Sequence, residues 1–287
     1  MCRFKSGIIL KNRIYIGMKD SHSDMLEEME IEDTYENAIK KFVRAELIPV
    51  NDEWWTDPAD WKINVDQDEV PDWFELDREK YEKDFREAVK VWWDEHVLVD
   101  KKIDELSNGY YRLKRCEVKK LLKDVQIMSD SSTVQRMYDS STVQRMSDSS
   151  TVQIMYDSST VQRMSDSSTV QIMSDSSTVQ EMYGSSTVQR MYDSSTVQRM
   201  SDSSTVQIMS DSSTVQIMSD SSTVQRMYDS STVQIMSDSS TVQEMYGSST
   251  VQRMYDSSIA RNYSTGKIEV AAETRLEVVK HVNKETE

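Results

Sequence analysis

Cysteine, proline and glycine are scarce in this chain: two, three and six residues respectively among 287. Two cysteines, Cys2 and Cys116, exclude a disulfide framework and suit a reducing compartment. Six glycines exclude calcium-binding nonapeptide repeats, which need paired glycines in every unit. No run of about 18 apolar residues is present to span a membrane, and the apolar stretch near the start is too short for a signal peptide. The expectation is a soluble cytoplasmic protein. Positive charge is also in deficit. The net charge is -16, with 22 basic against 30 acidic residues over 1–128, 7 against 15 over 129–258, and 5 against 5 beyond. Such a chain repels nucleic-acid backbones and anionic membranes, so neither is expected as a direct partner, while solubility accounts for most of the acidity.

What is present divides in two. All six tryptophans and all three prolines lie before residue 100, whereas the later region is built mainly from Ser, Thr, Asp, Val, Gln and Met. One part can form an ordinary core and the other must rely on repetition. The domains expected are 1–108, a small α+β domain; 109–263, a β-solenoid with an N-terminal cap; and 264–287, a C-terminal β cap or tail.

From Val125 a valine recurs every nine residues to Val251, Ala260 takes the next slot, and a methionine follows each valine by three positions. The unit is Ser-Ser-Thr-Val-Gln-x-Met-y-Asp. A helix cannot use it, because nine residues at about 100° each put successive valines on opposite faces. An unbroken strand fails as well, since an odd repeat with a side-chain period of two flips alternate valines outward. Each unit must bend. The Asp slot, replaced only by Gly184 and Gly247, is the natural place, because both residue types tolerate turn geometry. With the bend there, Ser132 and Val134 point inward, Met137 fills the corner, and Thr133 and Gln135 face solvent. Stacked as a parallel β-solenoid with two units per coil, about 15 units make roughly seven coils, or about 35 Å at about 4.8 Å per coil. Disorder competes, since a polar Ser/Thr/Asp tract can fail to offset its ordering entropy. Against it, the differences between units concentrate at x (Arg136, Ile154, Glu181), y (Ser129, Tyr138) and the Asp/Gly turn, while Val and Met stay fixed. Residues 110–118 place Cys116 in the valine register and suggest a degenerate cap, and 267–270 and 275–278 alternate like closing strands.

In the first domain, residues 3–10 and 13–17 read as strands around a turn. Residues 21–29 read as a short helix capped by Ser21 or Ser23, and 42–48 as a strand ended by Pro49. Residues 61–65 suit another strand, and 77–96 an amphipathic helix with Tyr81, Phe85, Val89, Trp92 and Trp93 on its apolar side.

Candidate chemistry is sparse. Removal of Met1 would leave Cys2 as an amino-terminal nucleophile with its own amine as base, but no further residue supports a hydrolase, and a structural or incidental cysteine is the expected reading. Asp20-x-His22-x-Asp24 has ligand-type residues at alternate positions, yet helix capping explains them more simply. The stretch Val65-Asp66-Gln67-Asp68-Glu69-Val70-Pro71-Asp72-Trp73-Phe74 lacks the glycine and final glutamate of an EF-hand loop. No metal and no cofactor are expected. A column of Thr133, Thr142 and Thr151 suggests an ice-binding array, but the variable x slots spoil its uniformity. The candidate binding residues are therefore outward slots of the repeat, Thr133, Gln135, Arg136, Tyr138, Thr142 and Gln144, with Asp66, Asp68 and Trp73 in the first domain.

The opening Met1-Cys2-Arg3-Phe4-Lys5-Ser6-Gly7-Ile8-Ile9, the stretch Asp20-Ser21-His22-Ser23-Asp24-Met25-Leu26-Glu27-Glu28, Phe42-Val43-Arg44-Ala45-Glu46-Leu47, and Val65-Asp66-Gln67-Asp68 with Pro71-Asp72-Trp73-Phe74 carry a resemblance. Over most of its first 100 residues the chain resembles an uncharacterised family of bacteriophages and gut bacteria whose members append polar tandem repeats. The resemblance implies a phage or prophage setting in a bacterial cytoplasm and no mechanism. The function expected is a non-enzymatic binding or scaffold protein whose solenoid is a rigid surface or spacer for a host or phage protein, with antagonism of a host protein as one form of it. Self-association stays open. The alternatives are an acidic nucleic-acid mimic that blocks a DNA-binding defence protein, and an N-terminal-cysteine hydrolase.

Overall fold

The computed structural model describes residues 4–107 and 109–263, and the chain divides into two compact units, one ending at Leu98 and the other beginning at Val99. Cys2 and the expected closing strands at 267–270 and 275–278 lie outside the described residues.

The first unit is α+β. Strands β1 (Lys5–Leu10) and β2 (Arg13–Tyr15) form the hairpin, followed by helices α1 (His22–Glu28) and α2 (Tyr35–Ala38). Then come β3 (Phe42–Ile48), β4 (Lys62–Val65), a short α3 (Asp72–Leu76) and the long α4 (Arg78–His96). The sheet is antiparallel in the order β2-β1-β3-β4. Ser21 caps α1, its hydroxyl accepting from the Asp24 amide at 3.2 Å, which satisfies one of the free N–H groups of the first turn. Helices cover both faces of β1. On one side Ile8 packs with Met25, Leu26, Ala38 and Phe42. On the other α4 comes so close that a Cβ on Gly7 would stand 2.7 Å from the Phe85 ring and 2.8 Å from the Tyr15 carbonyl, so only glycine fits. Because β1 is buried on both faces, even Lys5 is inside.

The second unit is a parallel β-solenoid. Its first strand, β5 (Val97–Val99), spans the division between Leu98 and Val99, then come β6 (Lys102–Leu106), β7 (Tyr111–Lys114) and β8 (Glu117–Leu121), and the repeat strands continue from Val125–Ser129 to Ile259–Asn262. Successive strands alternate between two ten-stranded sheets. Each pairs in parallel with the strand one coil on, as in Thr133↔Thr151, Val134↔Val152 and Met137↔Met155. Two nine-residue units therefore make one coil of 18. About nine turns at about 4.8 Å each give the solenoid a height of about 43 Å.

The disorder alternative is thus replaced by an ordered stack, and each unit shows how. Ser132, Val134 and Met137 have no exposed surface, while the two residues between Val134 and Met137 stay outside, so the strand bends there and a strict period of two is broken. The turn is where the Asp slot predicts it. Asp139 has φ 54°, and the Ser141 amide donates to the Tyr138 carbonyl at 3.1 Å across the corner. Gly184 and Gly247, the natural replacements, have φ 62° and 65°, the left-handed region in which glycine carries no Cβ penalty. The aspartates also tie the coils together: the Asp139 amide donates to Asp157 Oδ2 at 3.2 Å, and the Gly184 amide to Asp202 Oδ2 at 3.0 Å.

Two details differ from the sequence expectation. The solenoid begins ahead of residue 109, with strands that share no nine-residue spacing and so carry no repeat signal. Cys116 is not in the valine register. Val118 pairs with Val134 and takes that slot, Leu121 pairs with Met137, and Cys116 occupies the inward serine slot, its amide donating to Ser132 Oγ at 3.2 Å. Val118 lies only seven positions before Val125, so counting backwards by nine misplaces the cysteine by two.

Candidate functional site

Nothing inside the solenoid is accessible, so any site on it must be built from outward slots, and the 18-residue coil decides which of them meet. Thr133, Gln135 and Arg136 lie on one sheet and Thr142 and Gln144 on the other, so these candidates form two faces. Thr133 stacks on Thr151, but Thr142 belongs with Thr160 on the opposite face. Tyr138 sits at a corner between the sheets.

The x slots form one column per face. On one face the order from Arg145 is Arg163, Glu181, Arg199, Ile217 and Ile235. Arg163 donates to Glu181 Oε2 at 2.7 Å, and Arg199 approaches its other oxygen at 3.6 Å. The Arg163 hydrogen bond, with a further one from Tyr183, holds the Glu181 carboxyl below its usual pKa, against a smaller opposing effect of burial. On the other face Arg226 and Glu244 pair at 3.3 Å, and Ile154 stacks on Ile172. Both glutamates thus stand one coil from an arginine.

The y slots separate more sharply. At one corner they are Tyr138, Tyr156, Ser174, Tyr192, Ser210, Tyr228 and Tyr246, and Tyr263 follows. At the opposite corner, from Ser147 to Tyr255, only Tyr183 and Tyr255 interrupt serines. The tyrosine edge is stacked: ring centroids are 5.4 Å apart for Tyr138 and Tyr156, 5.3 Å for Tyr228 and Tyr246, and 5.8 Å for Tyr246 and Tyr263, with planes within 21° of parallel. Partly exposed phenols in a row offer both apolar area and hydroxyls, a composition suited to protein contact. Of this edge the sequence reading singled out Tyr138 alone; aligning the y slots at 18 rather than nine residues is the signal that finds the rest.

In the first unit the candidates play separate parts. Trp73 Nε1 donates to the Lys40 carbonyl at 2.9 Å, and its ring packs edge-on against Tyr81 at 5.0 Å, so it braces α3 against α4. Asp68 lines a shallow cleft of about 300 Å³ with Asp33, Tyr35, Arg44 and Glu69. Tyr35 and Arg44 are engaged there, the phenol donating to Glu69 at 2.7 Å and the guanidinium pairing with Asp33. Asp66 is elsewhere: its carboxylate faces His22 Nδ1 at 3.3 Å, with Glu46 beside both. The local trio of Asp20, His22 and Asp24 is dispersed, Asp20 going to Lys5 and Asp24 lying 3.6 Å from Lys19. Cys116 is buried, and burial pushes its thiol pKa up, only partly offset by hydrogen bonding with the Lys101 and Lys114 backbone, the thiol donating to the Lys114 carbonyl at 3.4 Å, which makes it a poor nucleophile.

Compared with known proteins, the chain matches no family model, no curated protein and no solved structure. Among the described residues, no helix is long and apolar enough to cross a membrane.

Proposed function

We propose that the chain is a non-enzymatic binding or scaffold protein of a bacteriophage setting, whose solenoid presents a rigid surface to a host or phage protein. One observation carries this reading. The inward Ser, Val and Met slots are held constant through the repeat while the variation lies outside, where the coil sorts it into columns, including an edge of stacked tyrosines. Such an edge is pre-ordered, so binding to it costs little conformational entropy. The nucleic-acid mimic has less support, because arginines interleave with the glutamates and the Asp carboxylates are engaged by amides of the neighbouring coil.

The test is affinity capture from host lysate with the intact chain, with Tyr156, Tyr228 and Tyr246 changed to Ser, and with Tyr183 and Tyr255 changed to Ser on the opposite edge. A partner lost only with the first set supports the reading. A partner retained by both sets removes the tyrosine edge from it.

A further inference from the structure

The first unit brings together one histidine and two carboxylates that no local motif announces. His22 stands at the start of α1, Glu46 in β3 and Asp66 just after β4, and one ligand-type atom from each lies within 4.8 Å of the other two. The His22 side chain is nine-tenths buried, with 10 % of its surface exposed, so its orientation is imposed by the fold. Its Nε2 lies 3.3 Å from the Ala45 carbonyl. A carbonyl can only accept, so the proton of a neutral imidazole belongs on Nε2 and the lone pair is on Nδ1. That lone pair faces Asp66 Oδ2 at 3.3 Å, one acceptor against another, with the Glu46 carboxylate adjoining. Two carboxylates around an imidazole lone pair repel unless positive charge stands among them, either a metal ion or a proton added to Nδ1.

From this geometry we propose that His22, Glu46 and Asp66 form a binding site for a single divalent transition-metal ion of the zinc class. Three details fit. Metal–ligand bonds of about 2.0 Å in a tetrahedral site put neighbouring ligand atoms about 3.3 Å apart, which matches the Nδ1 to Oδ2 separation. The histidine hydrogen bond to a backbone carbonyl fixes the tautomer that leaves Nδ1 free to ligate. Asn64 Nδ2 donates to Glu46 Oε2 at 3.1 Å, which orients that carboxylate and leaves its other oxygen available. Three protein ligands leave a fourth position for water or a partner's side chain, and Asp66, which is exposed, marks the side from which it is reached.

The test uses the full chain stripped with chelator and titrated with Zn²⁺ by calorimetry, and with Co²⁺ followed by its visible absorption. One saturable equivalent and a Co²⁺ spectrum showing nitrogen and oxygen ligation are expected. His22→Ala and Asp66→Asn should each weaken Zn²⁺ binding by about 100-fold, Asn64→Ala by about 10-fold, and Asp68→Asn not at all. Asp66 is exposed, so its variant should keep the fold even if His22→Ala disturbs α1, and circular dichroism checks both. The absence of saturable binding, or binding unchanged by Asp66→Asn, overturns the site. So does a nuclear-resonance signal showing His22 protonated on both nitrogens and unmoved by Zn²⁺, which would make the cluster an imidazolium ion pair.

Discussion

At the scale of single residues the most demanding choice is Lys5. Its side chain has no exposed surface, so water is replaced by the Gly17 carbonyl at 2.7 Å, Asp20 Oδ1 at 2.9 Å and the Trp92 ring 4.0 Å away. A buried charge with this many partners is tolerated, but removing one partner leaves the other uncompensated. Asp20→Ala should therefore lower the unfolding free energy of the first unit by about 3 kcal/mol. Lys5→Met, which removes the buried charge and keeps the packing on Trp92, should cost less, because Asp20 is partly solvated. Tryptophan fluorescence in urea reads this unit alone, since every tryptophan lies in it. Equal losses from the two substitutions would mean that packing, not the charge, dominates at this position. None of this was legible beforehand. A strand was, and it forms over Lys5–Leu10, but its inward lysine finds its acid 15 residues away, and His22 finds Glu46 and Asp66 across the sheet. The local spacing of Asp20, His22 and Asp24 instead suggested partners that the fold sends elsewhere.

At the scale of elements, the unit strand was legible because the nine-residue period leaves few options: it rules out a helix and an unbroken strand, and the Asp/Gly slot marks the bend. Which strand lies above which was less accessible, since it depends on an 18-residue coil that the repeat alone only suggests. The columns follow from that coil, and the charged one makes a prediction. Glu181 stands between Arg163 and Arg199, with Arg145 one coil further. Glu181→Arg would stack four like charges, and like charges directly opposite one another destabilise a sheet. The thermal midpoint should fall, and added salt should restore much of the loss. Glu181→Gln removes only the attraction, about 0.2–1 kcal/mol for a pair this exposed. The pH dependence has a definite sign. The Glu181 carboxyl is held below its usual value of 4.5 in the fold, so its contribution is fully present above that pH and is lost as pH falls through the lower folded value. Wild type and Glu181→Gln should therefore differ at neutral pH and converge in acid, as followed by circular dichroism. A difference that persists unchanged in acid would show that the ion pair is not its source.

At the scale of the whole solenoid, the near-identity of units makes half a coil a separable quantity. Residues 203–211 and 212–220 are identical units on opposite sheets. Deleting both removes one full coil, shortens the stack by about 4.8 Å and leaves every later residue on its own face, with Tyr228 now directly above Tyr192. Deleting 203–211 alone leaves the inward slots unchanged, because both sheets use the same Ser, Val and Met, but it moves every later side chain to the opposite side. Tyr228 and Tyr246 then leave the tyrosine edge and join the serine edge. Both deletions should keep the β spectrum of the parent, since nearest-neighbour stacking in such arrays is local. Only the nine-residue deletion should abolish capture of a partner that reads the Tyr228 and Tyr246 part of the edge, while the 18-residue deletion should retain or strengthen it. Loss of folding in the nine-residue variant alone would mean that the two sheets are not interchangeable. Capture surviving both deletions would place the contact on the first unit or on the coils before residue 203, because those are the surfaces that neither change disturbs.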